Sequence, residues 1–141
     1  MIPKHSEVTA EPGVPEIPDH TSPSCQAVNS VLARVGDKWS VLIIVLLGNG
    51  KLRFSEIKRM VGGISQRMLT LTLRGLERDG LVKRTIFPTI PPRVDYELTE
   101  LGKSLRCAVV PLGAWAQKHV GDIHTAREAF DGKTAEQARS V

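Results

Sequence analysis

The chain has 141 residues, of which 41% are apolar, 4% aromatic and 24% charged, and its formal net charge is +4. That length suits one domain with a core that needs no metal or disulfide staple. The longest apolar run, Val41 to Leu47, is too short to cross a bilayer, and the N-terminus lacks the basic-then-apolar pattern of a secretion signal. Two cysteines without a CxxC pair exclude a disulfide scaffold and a zinc ribbon. The expectation is a cytoplasmic protein with reduced thiols, no cofactor, no metal and no membrane partner.

Divided along the chain, the charge is uneven. Residues 1–24 carry −3, residues 25–50 carry +1, residues 51–94 carry +7 and residues 95–141 carry −1. The middle stretch holds ten Lys and Arg against Glu56, Glu77 and Asp79. Positive charge concentrated in this way is the footprint of a polyanion-binding element.

Residues 1–24 hold five of the nine prolines and few periodic apolar positions, which predicts a disordered acidic tail. A folded domain is expected over 25–122, followed by a short helix and frayed tail over 123–141. Ser22 or Ser24 can cap a first helix with Pro23 at its first position, and Ala27, Val28, Val31, Leu32 and Val35 recur at helical spacing up to Gly36. Asp37 caps a second helix containing Trp39 and Val41 to Leu47, apolar on nearly every side and therefore central. A third helix covers Phe54 to Val61, with Phe54, Ile57, Met60 and Val61 on one face. Gly62-Gly63 turns the chain, and Ser65 caps a fourth helix that runs to Asp79 and closes at Gly80. Met68, Leu69, Leu73 and Leu76 should face inward, with Leu71 and Thr72 at the border.

On the opposite side of that fourth helix, Gln66, Arg67, Thr70 and Arg74 recur at spacings of three and four. Two short helices joined by a glycine turn form a helix-turn-helix. Gln and Arg on the second helix suit bidentate contacts with adenine and guanine edges, and Ser65 with the helix N-terminus suits a phosphate. Val82 to Phe87 and Val94 to Leu98 read as two strands joined by a loop rich in proline, and they carry Lys83, Arg84 and Arg93. Such a hairpin after a helix-turn-helix makes a winged helix, mainly α with a small β-wing, and its cations should grip the backbone of double-stranded DNA. Thr99 caps a last helix from Glu100 to about Val120, kinked at Pro111. Its apolar stripe, including Leu101, Leu105, Val109, Leu112 and Trp115, is wide enough to point to a second subunit.

Several pieces in order resemble the HxlR-type transcriptional regulators, a winged-helix branch similar to the MarR family. They are Cys25, Val35-Gly36-Asp37-Lys38-Trp39-Ser40, Arg53-Phe54-Ser55-Glu56-Ile57, Ile64 to Leu69, Leu76 to Val82, Pro91 to Thr99, Leu101-Gly102 and Trp115. The resemblance covers about residues 25–120. It implies a homodimer on a roughly palindromic operator, acting as a repressor, with contacts from the first helix (Val28, Leu32) and the last (Leu105, Val109, Leu112, Trp115). It also implies that Cys25 senses electrophiles or oxidants, although Gln26 follows where the family often has Pro. A helix N-terminus favours the thiolate there. Alternatives are a small ligand held at the dimer interface as effector, or a winged helix used for protein contact.

Cys107 is expected to pack in the long helix, and Trp39 and Trp115 to be core aromatics in preference to lining a ligand cavity. His119 and His124 are spaced off one helical face, which disfavours a metal pair. No histidine lies near a candidate nucleophile and no phosphate loop is present, so an enzyme is not expected.

Overall fold

The computed structural model describes residues 22–139 and divides into two units, one ending at Gly36 and the other beginning at Asp37. The expected tail over 1–24 therefore lies largely outside the described residues. In the first unit, helix α1 spans Pro23–Gly36. Pro23 opens it as expected, and the Ser22 hydroxyl accepts from the Cys25 backbone N–H at 3.2 Å, capping the first turn.

The second unit contains α2 (Lys38–Leu47), β1 (Leu52–Arg53), α3 (Phe54–Val61), α4 (Gln66–Arg78), β2 (Val82–Phe87), β3 (Arg93–Leu98) and α5 (Glu100–Arg139). Asp37 caps α2 by accepting from the backbone N–H of Ser40 at 3.2 Å and from its hydroxyl at 2.7 Å. Ser40 can therefore sit in the interior with its polar atoms satisfied. Ile43 and Ile44 of α2, Ile57 of α3 and Leu69, Leu73 and Leu76 of α4 are almost wholly buried. Helix α2 meets α3, α4 and α5, so its expected central place holds, although Leu42 remains exposed in the single chain.

The sheet has strand order β1-β3-β2, all antiparallel. β1 was not legible in the sequence because a strand of two residues shows no alternation. It pairs Leu52 with Tyr96 and Arg53 with Asp95, which ties the start of α3 to the hairpin. In the hairpin Val82 pairs with Leu98 and Phe87 with Arg93. Thr99 then locks the hairpin to α5. Its hydroxyl donates to the Gly80 carbonyl at 2.6 Å and accepts from the Gly102 N–H at 3.1 Å. At Gly102 the helix passes so close to β2 that a Cβ would collide with the carbonyl oxygen of Leu81.

Three expectations need correction. Helix α5 does not end near Val120; it runs unbroken to Arg139. Gly121 and Gly132 are isolated among good helix formers, and His124 pairs with Glu128 one turn on at 3.2 Å, so nothing in the segment competes with the helix. In α4 the inward residue is Thr72, while Met68 is exposed. The Thr72 hydroxyl donates to the Met68 carbonyl at 2.8 Å, which removes the cost of burying it. Cys107, expected to pack, is exposed on α5.

Candidate nucleic-acid interface

The site begins with the turn between α3 and α4. Gly62 and Gly63 both have positive φ, +65° and +73°, a conformation that a side chain makes costly. Ser65 follows in extended conformation, and its hydroxyl accepts from the Met68 N–H at 3.1 Å. The capped helix start leaves the amides of Gln66 and Arg67 ahead of the first intrahelical bonds. Because Leu69, Leu73 and Leu76 anchor the inner face, the outer face is held in fixed orientation.

Ser65, Gln66, Arg67, Thr70 and Arg74 are all exposed, as the sequence predicts. Thr70 differs in chemistry from the expectation. Its hydroxyl donates to the Gln66 carbonyl at 2.9 Å, so toward a ligand it offers a methyl group and an acceptor, not a proton. Arg67 makes no ion pair with any described residue. Leu71, 55% exposed, extends the same surface with an apolar group.

The wing cations fall into three environments. Lys83 stands beside Glu97 at 4.0 Å, a pair open to solvent and worth little. Arg84 stands opposite Tyr96, its cross-strand partner, where its positive charge acts on the phenol. Thr70, Arg74, Arg84 and Tyr96 line one cleft between α4 and the hairpin, which brings a base-reading candidate and a wing cation together. Burial pushes the Tyr96 phenol up from its ordinary value, against the opposing pull of Arg84. Tyr96 was not singled out from the sequence; strand pairing with Arg84 was the available signal.

Arg93 is engaged elsewhere. Its Nε and Nη2 donate to the two oxygens of Asp95 at 2.9 and 3.1 Å, and its guanidinium lies 5.4 Å from the Phe87 ring centroid. That hydrogen-bonded pair holds the Asp95 carboxyl below its ordinary range. Arg93 therefore braces the loop end of the wing, with part of its guanidinium still exposed. The hairpin turn beyond it places Ile90 fully in solvent.

The expected interface residues divide as well. Val28 and Leu32 on α1 and Leu112 and Trp115 on α5 are exposed. Leu105 is half-buried. Val109 is 3% exposed in the single chain, so the expectation that it lies on a subunit surface does not fit its position. Trp115 is no core residue; it is 54% exposed and its ring meets that of His119 in a tilted contact, 4.8 Å between centroids. Cys25 is buried in the first turn of α1, where its Sγ accepts from the Asn29 side-chain amide at 3.7 Å. Among the described residues no group of three or more His, Cys, Asp or Glu could hold a metal ion, and no helix is long and apolar enough to cross a membrane.

The model of the HxlR-like helix-turn-helix family matches residues 34–124. The HTH-type transcriptional regulator YtcD of Bacillus subtilis, itself uncharacterized, is 41% identical over 98 residues, covering 70% of this chain and 78% of its own. Among solved structures, the putative transcriptional regulator ytfH from Salmonella typhimurium superposes with a TM-score of 0.68 at 39% identity, covering 72% of this chain and 90% of that one. The redox regulator HypR in its oxidized form gives 0.60 at 40% identity, covering 65% and 95%. A glycine-turned, Ser-capped helix with an outward polar row, a wing at its side and these likenesses have one reading: the chain belongs to the HxlR-like helix-turn-helix family, whose members are DNA-binding transcriptional regulators and not enzymes.

Proposed function

We propose that this regulator binds a near-palindromic operator as a homodimer and represses transcription from it, with α4 in the major groove and the wing along the phosphate backbone. The observation that carries the reading is the row Gln66, Arg67, Thr70 and Arg74 on the outer face of a helix whose inner face is locked in the core. Arg67 and Gln66 read base edges, Thr70 meets a thymine methyl or a donor group, and Ser65 with the helix start holds a phosphate. Arg74 and Arg84, side by side in one cleft, straddle the passage from base edge to backbone. Dimerisation through Val28, Leu32, Leu112 and Trp115 would cover large apolar side chains that a single chain leaves in water.

The signal proposed is an oxidant or electrophile acting at Cys25. Supporting it are the position of Cys25 in the first turn of α1 and the similarity to HypR, itself a redox regulator. Burial of Cys25 restricts the reagent to something small, such as a peroxide. The thiolate sulfur attacks the peroxide O–O bond, giving a sulfenic acid and releasing hydroxide or water, so that the sulfur is oxidised and the peroxide reduced.

Mapping bound genomic DNA before and after peroxide treatment tests both parts. The expected result is a set of sites sharing a two-fold motif, lost after peroxide in wild type and retained in Cys25→Ser. Binding without a shared motif would remove the operator reading; equal loss in wild type and Cys25→Ser would remove the sensor.

A further inference from the structure

A second concave site lies on the same unit, formed by the C-terminal end of α2, the loop after it, the end of β3 and the first turns of α5. It is a cavity of about 410 Å³, lined among others by Lys51, Lys103, Arg106 and Cys107. That volume falls in the range of small-molecule sites. Leu47 and Leu98 supply apolar wall, and Glu97 is the one carboxylate among the lining residues.

The charges in this cavity are unbalanced. Glu97 faces Lys83 across the hairpin at 4.0 Å, and Lys103 reaches Glu100 at 3.1 Å in a pair exposed to water. Lys51, whose charge also acts on Asp95, and Arg106 form no ion pair within 4.0 Å with any described residue. Arg106 is nonetheless held in place: its Nε donates to the Val45 carbonyl at 3.4 Å, near the end of α2. Its side chain crosses Gly48 so closely that a Cβ there would displace it. With Nε occupied, the two terminal nitrogens remain to face a planar acceptor, the geometry that suits a carboxylate.

We propose that this cavity binds a small organic carboxylate whose apolar body lies against Leu47 and Leu98, with Arg106 and Lys51 on its charge. The site is separate from the α4 face and does not rest on the operator reading. Cys107, exposed in the cavity wall, serves as a reporter of occupancy.

The experiment uses the full chain as Cys25→Ser, which leaves Cys107 as the single cysteine of the sequence. Alkylation of Cys107 by iodoacetamide is timed by mass spectrometry in the presence of 2-naphthoate, its uncharged analogue 2-naphthamide, or inorganic phosphate. At about ten times its Kd, 2-naphthoate should slow alkylation about tenfold, while the amide and phosphate leave the rate unchanged. Protection should disappear in Lys51→Gln and in Arg106→Gln; the first is a surface change that leaves the fold intact whatever the second does to α2. Equal protection by acid and amide, protection by phosphate alone, no protection by any probe, or protection that survives Lys51→Gln would each overturn the proposal.

Discussion

Helices α4 and α5 begin from similar material and end in opposite states. In α4 the apolar positions Leu69, Leu73 and Leu76 are used within the chain, and the exposed side is mostly polar, with Gln66, Arg67, Thr70 and Arg74. In α5 only Gly102 and Val109 of forty residues are buried, while Leu101, Leu112, Trp115, Val120, Ile123 and Phe130 stand in water. The hydrophobic effect makes the second arrangement costly by about 1.5–3 kcal/mol for each large side chain that a partner could cover. The contrast teaches a division of labour: α4 is complete in one chain, whereas α5 leaves apolar surface in water that the proposed second copy would cover.

The strongest way to break that contrast is to charge the α5 surface. Leu112→Glu with Trp115→Glu should convert the proposed dimer to a folded monomer in sedimentation experiments, at a cost above about 4 kcal/mol of association free energy if both are central to the interface. A variant that remains dimeric would place the interface elsewhere. The next largest effect is expected at the join between wing and α5. Gly102→Ala should lower unfolding free energy by about 1–3 kcal/mol, measured by denaturant titration, because the new methyl must displace the backbone at Leu81. No loss would mean that the helix can move away freely.

Two smaller effects concern the wing. The bond to Arg93 lowers the Asp95 pKa in the folded chain, so the stability it lends is complete above the ordinary carboxylate range. That stability is lost as pH falls through the lowered value. The gap in melting temperature between wild type and Arg93→Gln should therefore be open at neutral pH and close in acid; a gap independent of pH would remove the pair from the account. Replacing Lys83, Arg84 and Arg93 together by Gln should shallow the dependence of log K for DNA on log salt by up to about 3 for each bound subunit. A slope as steep as the wild type would take the wing off the backbone.

Much of α4 was legible in the sequence because its signals are local. Ser65 caps it, Gly62-Gly63 turns into it, Gly80 closes it, and the polar and apolar positions differ by helical phase. What failed there was a matter of degree: Met68 and Thr72 lie one turn apart on the same edge of the buried arc, with Thr72 nearer its centre and its hydroxyl satisfied by the Met68 carbonyl. The wing was half legible. Its strands and cations could be read, but the engagement of Arg93 by Asp95 and the meeting of Arg74, Arg84 and Tyr96 depend on strand register and on packing between elements. Helix α5 was least legible. Its continuation past Val120 needs no tertiary contact, and a weak glycine penalty at Gly121 was outweighed by the helix formers around it. The cavity beside Arg106 and the exposure of Cys107 in its wall arise from distant segments meeting, which no local pattern records.

The central claim is that the outer face of α4 reads DNA sequence. It is tested most directly by titrating the mapped operator and a scrambled duplex of equal length with wild type and Arg67→Ala at one salt concentration. The account predicts that Arg67→Ala loses about 1–3 kcal/mol on the operator and almost nothing on the scrambled duplex. An equal loss on both duplexes, or none on either, would contradict it.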